Sequence, residues 1–456
     1  MKKWLIRISV FFGVMIALAA VGGLALWSMT GFAASSSDAP KQLAEWKKNG
    51  LPLSADEVVM GGAVSDEQNA AADFKLLRND QSFKLPKAPG TIYEEDWASG
   101  AITQYLEKCQ PQISRIALAA EKPHFQLSKD FDSVLMMDFP EYEEIKSWTK
   151  LLILDAERLA RTGRNSEATS RIRSARNLAR LTGQDPTMIG RLVAIACESM
   201  VMVGAGRVAS EMADDPQSLE SLRKALAETE WSLDSKQIYR TEAYLGIAAF
   251  RDVTMRDIVS LNNSVDLPGS PSPQKSKPHS ELPKSAVAKA VVGETMRFWN
   301  EFHPRIQTET DMTKLSDDIS KRSDEYATSG SWPKKVASIM LPVFKQANRA
   351  HEKTQSERKT LNAFIATLLY RNQHKKWPVT LEDAGIKGDL NRDHLAGGPL
   401  QYRASAKDMR IWHSGANGID DGGLTMKEAL AAGKDSQERD AVYIHPWPKN
   451  WRKSTP

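Results

Sequence analysis

Residues 151–183 read LLILDAERLARTGRNSEATSRIRSARNLARLTG, and this stretch decides the fold class. Apolar side chains recur in it at the spacing of one helix face, and Gly163 and Gly183 stand where two successive helices would end. A connection this short favours antiparallel packing of the two helices. The stripes that we expect to face the core are Leu152, Ala156, Leu159 and Ala160 in the first helix and Ala168, Ile172, Ala175 and Ala179 in the second.

The helical pattern continues after this stretch. The Asp-Pro pairs at 185–186 and 215–216 each place a capping carboxylate before a proline, which favours the first position of a helix. Helical sequence resumes near Val287 and ends in a long segment from about Lys334 to Arg371. We therefore expect a mostly α fold of antiparallel helical hairpins. The core stripe expected in the helix after residue 186 is Ile189, Leu192, Val193, Ala196, Met200 and Val203.

The N-terminal segment, residues 1–29, combines a basic flank with a long apolar run. Lys2, Lys3 and Arg7 precede the run, which covers residues 8–29 and is long enough to cross a bilayer as one helix. The basic flank is expected to stay in the cytoplasm, which sends the rest of the chain across the membrane. The lipid bilayer is thus the first predicted partner of this chain.

Retention of this segment is favoured over cleavage. The run is longer than the apolar core of a cleaved signal, although Gly31-Phe32-Ala33 offers a small-x-small cleavage site. We predict a single-pass protein of the bacterial inner membrane, with the bulk of the chain outside the cytoplasm. Residues 30–40 are small and polar and are expected to form a tether.

Composition limits the other partners and the covalent links. The 61 basic and 57 acidic side chains give a net charge of +4, a mixed surface that does not favour nucleic acid. The two cysteines, Cys109 and Cys197, exclude a disulfide framework. A single disulfide is possible outside the cytoplasm, but the apolar surroundings of Cys197 favour a buried free thiol.

Changes of composition mark the expected domains. Residues 262–285 are rich in proline, serine and lysine and are expected to form a flexible loop within an extracytoplasmic helical domain, residues 30–372. Possible capping boxes at 54–57 and 65–68 predict helix starts early in that domain. A small α+β unit is expected to follow, residues 373–456.

The C-terminal unit combines short strands with a glycine-rich loop. We expect a helix start at Thr380–Asp383 and strands at Leu400–Arg403, Met409–Trp412 and Ala441–Ile444. The loop, residues 415–423, follows the second strand.

The order of these motifs resembles the ending of the major pseudopilin family of type II secretion. The segments concerned are WPVTLEDA (377–384), GGPLQYR (397–403), HSGANGIDDGG (413–423) and ERDAVYI (438–444). The resemblance implies a pseudopilin-like α+β fold and a calcium ion at the glycine-rich loop. The whole chain is also similar to large bacterial membrane-anchored proteins with this ending, a group that implies no activity.

Two features depart from the pseudopilin pattern. Pseudopilins carry a glycine, a hydrophobic residue and soon a glutamate before the apolar helix, whereas Gly31-Phe32 comes after it here. The long helical region between the anchor and the C-terminal unit is also foreign to that family.

Four residues are candidate calcium ligands on chemical grounds. Calcium takes six to eight oxygen ligands on a flexible loop, and this loop offers Asn417, Asp420 and Asp421, with Asp440 able to close the shell. The spacing is not that of an EF-hand. The alternative is a solvated turn in which Asn, Asp and Gly serve the backbone geometry.

No catalytic constellation stands out. The eight histidines are scattered without zinc-like pairing, and there is no G-x-S-x-G elbow. Acidic and aromatic residues cluster at Glu94–Trp97 and Glu141–Glu144, where paired carboxylates could serve a glycoside hydrolase, or could simply be solvated helix starts. The sequence favours a non-enzymatic scaffold or binding protein of the cell envelope. The alternatives are an envelope polysaccharide hydrolase and an accessory subunit of a secretion or pilus-like assembly.

Overall fold

A computed structural model describes most of the chain after residue 24. The residues described are 25–58, 64–80, 83, 85, 97, 99–127, 131, 139–227, 235–251, 281–341, 344–415, 419–433 and 440–447. Most of the predicted membrane-spanning run and most of the predicted loop at 262–285 lie outside this set. The described part is mostly helical with one small sheet, which confirms the coarse fold prediction.

The helices and strands follow one another as listed here. The helices are α1 (Ala25–Lys48), α2 (Ala70–Asn79), α3 (Ala101–Lys108), α4 (Gln110–Ala120), α5 (Pro140–Arg161), α6 (Asn165–Thr182), α7 (Met188–Glu211), α8 (Pro216–Ala227), α9 (Ser235–Arg251), α10 (Ala286–Thr308), α11 (Met312–Thr328), α12 (Trp332–Ile339), α13 (Phe344–His374) and α14 (Met426–Ala431). The strands are β1 (Gln401–Ala404), β2 (Met409–His413) and β3 (Ala441–His445), with short 3-10 turns at Ala55–Glu57 and Gly388–Asn391.

The hairpin predicted from residues 151–183 is present. Helices α5 and α6 are joined around Gly163, whose φ of 75° suits glycine in the turn. Asp155, near the end of α5, bonds Arg171, near the start of α6, at 3.0 Å, so the two helices run antiparallel. All the apolar residues predicted to face the core in these two helices are buried.

The face of α7 differs from the prediction. Ile189 is 45% exposed and Ala196 is exposed, whereas the charged side chains of Arg191 and Glu198 are buried. Because this helix is apolar on nearly every side, its periodicity does not single out one face. The start of α7 also differs, because Thr187 and not Asp185 caps it. The Thr187 hydroxyl accepts the N–H of Gly190 at 3.0 Å.

Two hydrophobic cores are formed. The first core joins α2–α8, the C-terminal half of α13 and the sheet; the second joins α1, α9–α12 and the N-terminal end of α13. The second core is rich in stacked and edge-to-face aromatic rings, such as Tyr239 on Phe344 with centroids 4.3 Å apart. Helices α7 and α13 contribute side chains to both cores.

The three predicted strands form an antiparallel sheet in the order β1-β2-β3. Ile411 of the central strand pairs with Tyr402 on one side and Tyr443 on the other. Ile411 and Tyr443 also belong to the first core, so the change of structure near residue 373 is not a break in the core. The predicted helix start at Thr380 is a turn instead, in which the Asp383 carboxylate accepts the N–H groups of Val379 and Thr380.

Two further local predictions are wrong. The expected tether at 30–40 is part of α1, because one side of this segment is buried against α10. The long helical segment expected from about Lys334 to Arg371 is present as two helices, α12 and α13, with Pro342 between them in the sequence. The box at 65–68 forms a turn, and α2 begins only after Asn69, whose side chain accepts from Ala71 N.

Two other features concern the apolar parts of the chain. Cys109 and Cys197 are buried free thiols, which confirms the favoured interpretation. Within the described residues, α7 is the one helix long and apolar enough to span a membrane, and 61% of its most apolar window is buried by the rest of the protein. Such burial is typical of a core helix.

Candidate functional site

The glycine-rich loop brings together three of the four predicted calcium ligands. Asp440 is fully buried, and its Oδ2 accepts the N–H groups of Asp421 at 2.7 Å and Gly423 at 2.9 Å. Asp420 Oδ1 accepts the indole N–H of Trp412 at 2.9 Å and the N–H of Gly422 at 2.8 Å. Asn417 lies outside the described residues. The acidic side chains therefore fold the loop by accepting backbone and indole hydrogen bonds.

Some charged groups around this loop favour cation binding and another opposes it. Burial raises the pKa of Asp440, and the nearby carboxylates of Asp420 and Asp421 raise it further, which a bound cation would relieve. However, Arg410 donates to the Gly423 carbonyl at 3.1 Å and places a positive charge at the loop. Within the part of the chain that the structure describes, no group of three or more His, Cys, Asp or Glu side chains is arranged to hold a metal ion. The calcium site therefore stays a prediction.

A second feature is the contact between α1 and α10, which we call the helix seam. Its residues are Ser35, Asp38, Ala39, Gln42 and Asn49 on the side of α1 and Gly293, Glu294, Arg297 and Asn300 on the side of α10. Gly293 has no side chain to keep Ala39 away, and a Cβ there would lie 2.8 Å from the Ala39 Cβ. The absence of that methyl group allows the two helices to approach closely.

Polar pairs fix the register of the helix seam. Ser35 Oγ donates to Glu294 Oε1 at 2.5 Å, and Arg297 donates to Asp38 at 2.7 Å and to Glu294 at 2.9 Å. The Arg297 guanidinium and the Gln42 amide hold the pKa of Asp38 below its usual value. Asn300 donates to the Gln42 carbonyl at 3.0 Å and so extends the contact by another helical turn.

The helix seam has a signal in the sequence, a stripe of residues at helical spacing that includes polar side chains. Ser35, Ala39, Gln42 and Trp46 are all buried, and their spacing of four, three and four residues is that of one helix face. Because two of the four are polar, the stripe is invisible to a purely apolar pattern.

The third feature is the contact of β2 and β3 with α7 and α13, which we call the sheet seam. Tyr443 of β3 packs its ring on Gly206 of α7, where an added Cβ would lie 2.4 Å from the Tyr443 Cδ1. Its ring also meets Phe364 of α13, with centroids 5.8 Å apart. Burial, with Glu357 and Glu198 close by, raises the pKa of the Tyr443 phenol well above its usual value.

Ion pairs are buried beside the sheet seam. Arg176 of α6 donates to Glu198 of α7 at 3.1 Å, and both side chains are almost wholly buried. Arg207 of α7 likewise pairs with Glu157 of α5. Burial and the nearby charge of Glu198 raise the pKa of Glu357 on α13. The charge of Lys353 offsets part of this rise. Charged side chains at these positions interrupt the apolar stripes, which is why sequence periodicity missed the network.

A histidine links the end of β3 to both helices of the sheet seam. His445 Nδ1 lies 3.0 Å from the Ser210 hydroxyl, and its Nε2 lies 3.0 Å from Arg371 NH1. Since a guanidinium can only donate, Nε2 must accept, and the ring is neutral. Burial and the charge of Arg371 lower the pKa of His445 accordingly.

The acid-aromatic clusters considered for glycoside hydrolysis are only partly described. Glu94, Glu95 and Asp96 lie outside the described residues, and the Trp97 ring lies under the Arg161 guanidinium at 4.8 Å. The other cluster is engaged in ion pairs: Glu141 with Arg78 at 2.8 Å and Glu143 with Lys146 at 2.5 Å.

Comparison with family models, with curated proteins and with solved structures gives no significant match. The pseudopilin resemblance therefore rests on the short C-terminal motifs and stays a prediction.

Proposed function

We propose that this chain is a membrane-anchored extracytoplasmic scaffold or binding protein of the cell envelope. The observation that carries the proposal is the course of α1. Within the described residues this helix runs from Ala25, inside the apolar run, through the buried stripe to Lys48. The end of the predicted membrane segment and the first helix of the bundle are thus one element.

The contacts of α1 make this element a firm connection. Pro40 removes one hydrogen bond from the helix interior and would allow a bend there. Asp38 on one side of Pro40 and Gln42 on the other are both bonded to α10, so the helix is held in line across the proline. A bundle held in this way is positioned relative to its anchor, as a scaffold requires.

The remaining parts of the proposal are supported less directly. The mixed surface charge and the ion-paired state of Glu141 and Glu143 favour a binding role over hydrolysis. Calcium binding at residues 415–423 is retained as part of the proposal because of the raised pKa of Asp440.

The proposal is tested with the full chain in a bacterial host. We expect it to stay in the membrane fraction after alkaline carbonate extraction, and protease added to spheroplasts to remove the C-terminal unit. Photo-crosslinking from Leu118, which is 74% exposed, should then capture a defined set of envelope proteins, whereas the same probe at the buried Leu152 should not. Carbonate-soluble protein, or protection from the protease, would refute the anchored topology.

The hydrolase alternative makes a different prediction. It requires release of fragments from envelope polysaccharide and loss of that release in Glu141→Gln with the fold intact. Glu167→Gln is the matched control, because Glu167 forms an exposed surface pair with Arg164.

A further inference from the structure

Helices α2 and α4 lie side by side on the first core and are joined by two ion pairs. Asp73 of α2 pairs with Lys122, which follows α4, at 2.7 Å. Asp80, which follows α2, pairs with Arg115 of α4 at 2.8 Å. Residue numbers rise on one helix as they fall on the other, so the two helices run antiparallel. We call the outer side of this helix pair the α2–α4 face.

Two exposed leucines lie between these ion pairs. Leu76 is three residues after one acid of the pairs and four before the other, and Leu118 has the same spacing between the two bases. Both leucines therefore lie at the same height along the helices. They are 66% and 74% exposed, the two most exposed leucines of the part of the chain that the structure describes. Together they form an apolar strip that is open to solvent.

The charges of the α2–α4 face are sorted by helix. On the α2 side, residues 66–80 carry the acids Asp66, Glu67, Asp73 and Asp80 and the bases Lys75 and Arg78; on the α4 side, residues 110–122 carry the bases Arg115 and Lys122 and the acid Glu121. Side chains of neighbouring helices strengthen this division. Glu141 pairs with the α2 side through Arg78, and Arg180 donates to the Lys122 carbonyl on the α4 side. The α2 side is therefore net negative and the α4 side net positive.

This arrangement is complementary to itself under one two-fold rotation. When the rotation axis lies in the plane of contact and runs parallel to the helices, α2 of one copy lies antiparallel on α4 of the other. Heights along the axis are unchanged, so each aspartate of one copy meets the lysine or arginine at its own height in the other, and Leu76 meets Leu118. An axis across the helices would place acids on acids, which is unfavourable.

We propose that the α2–α4 face is a docking surface for a second copy of this chain. The complementary charge pattern and the exposed leucines select this occupant, and the inference goes beyond the proposed function. The two helices have 10 and 11 residues, which makes the face about 15 Å long and about 20 Å wide. Because a stable interface buries roughly 800 Å² on each partner, the contact is transient in solution. Confinement of two copies to one membrane favours it by raising their effective concentration.

Disulfide cross-linking of two differently tagged full-length copies tests the contact. One copy carries Leu76→Cys and the other Leu118→Cys, while the native cysteines are buried and do not compete. We expect mild oxidation with copper phenanthroline to join the two copies, and two copies that both carry Leu118→Cys to be joined less, because their α4 helices lie on opposite sides of the axis. Val379→Cys in one copy and Leu390→Cys in the other, 87% and 48% exposed, are the matched control and should give no product above background. The reaction is run in host membranes and with purified protein in detergent.

A charge swap then tests the geometry while it keeps both ion pairs within each chain. The swapped variant is Asp73→Lys/Asp80→Lys/Arg115→Asp/Lys122→Asp. Two swapped copies stay complementary and should cross-link as two unswapped copies do. A swapped copy on an unswapped one places acids on acids, so the mixed product should fall about tenfold or more. Arg164→Glu/Glu167→Arg, which swaps an exposed pair on another helix, should cause no such discrimination.

Each outcome decides for or against the docking surface. No mixed disulfide above the control, or equal products with swapped and unswapped partners, would overturn it. A disulfide from Leu118→Cys to a different protein, with none to a second copy, would also overturn it. A chain that leaves the membrane fraction yet cross-links in detergent would refute the anchor and leave the docking surface standing. Circular dichroism of each variant confirms that the helical fold is kept.

Discussion

The helix seam and the sheet seam each contain a buried glutamate, Glu294 and Glu198, and the partners of the two differ in exposure. At the helix seam, Glu294 pairs with Arg297, whose side chain keeps 33% of its exposure. At the sheet seam, Glu198 pairs with Arg176, whose side chain is wholly enclosed, and with Arg358, whose side chain is 22% exposed. A charge that can still reach water loses less when its partner goes than an enclosed charge does. The comparison predicts that breaking the buried pair at the sheet seam costs more free energy of unfolding than breaking the pair at the helix seam.

The largest effect is expected from removing each glutamate in turn. Glu198→Ala leaves the Arg176 charge buried without its carboxylate and should lower the free energy of unfolding by about 3–5 kcal/mol. Glu294→Ala should cost only about 1–2 kcal/mol, because Arg297 keeps Asp38 and water. Urea unfolding followed by circular dichroism measures both.

Two controls make this pair of variants decisive. Glu220→Ala breaks a surface pair with Arg223 and should change the free energy of unfolding by less than about 1 kcal/mol. Arg176→Met/Glu198→Leu removes both charges and should recover much of the loss. Equal costs for Glu198→Ala and Glu294→Ala would contradict the contrast between the seams.

The same contrast explains how far the sequence could be used. The hairpin of α5 and α6 was predictable because its apolar residues keep the spacing of one helix face, although Asp155, Glu157 and Arg176 are buried as well. The inner face of α7 was not, since Arg191 and Glu198 lie there and Ile189 points outward. The burial of Glu198 is offset by its pairs with Arg176 and Arg358, both distant in sequence.

The candidate site shows a similar division. The strands and the loop at 415–423 followed from short-range turn and strand signals. The role of Asp440 as the acceptor for Asp421 N and Gly423 N did not, because it depends on how β3 returns beside the loop. The helix seam could have been predicted from the sequence if polar residues had been counted in the buried stripe from Ser35 to Trp46.

Acid should loosen the sheet seam in particular. Burial lowers the pKa of His413 on β2 and of His351 on α13, in each case from 6.5 to about 4. The unfolded chain takes up these protons as the pH falls below 6.5 while the folded protein does not. Stability is therefore lost between pH 6.5 and about 4, by up to about 3 kcal/mol for each histidine.

Other titrating groups act in the same range. The raised pKa of Glu357 has the opposite sign, since the folded state binds that proton more readily, and it offsets part of the loss. Burial and the charge of Arg240 also lower the pKa of His303 on α10. We expect the amide protection factors of β2 and β3, which are corrected for the intrinsic exchange rate at each pH, to fall on acidification more than those of α1. His413→Gln should flatten this pH dependence, and an unchanged slope would rule out the assignment.

A smaller effect is expected where the helices and strands approach across glycine. Gly206→Ala should force Tyr443 from its place and lower the free energy of unfolding by about 1–3 kcal/mol. Gly293→Ala brings its Cβ to 2.8 Å from the Ala39 Cβ, a smaller overlap than the 2.4 Å at Gly206, so its cost should be lower. Both sites lie within helices, where the better helix propensity of alanine offsets part of the loss. Gly398→Ala, with no atom within 4 Å of the new Cβ, is the control. A larger loss in Gly293→Ala than in Gly206→Ala, measured by thermal unfolding, would reverse the proposed order of the seams.

Calcium should have the smallest effect, and only on one seam. The carboxylates of Asp420 and Asp440 already accept hydrogen bonds, so a weak site is expected, worth about 1.4 kcal/mol at a calcium concentration tenfold above Kd. Thermal unfolding with calcium and with chelator measures the shift, beside Asp420→Ala/Asp421→Ala. Asp317→Ala/Asp318→Ala, on α11 in the second core's half of the molecule, removes the same charge elsewhere.

Because the loop follows β2 and is bonded to Asp440 at the start of β3, bound calcium should slow amide exchange in those strands and leave α1 unaffected. Calcium-dependent protection of α1 instead would mean that the ion acts away from the loop, and no shift in either protein would reduce residues 415–423 to a hydrogen-bonded turn.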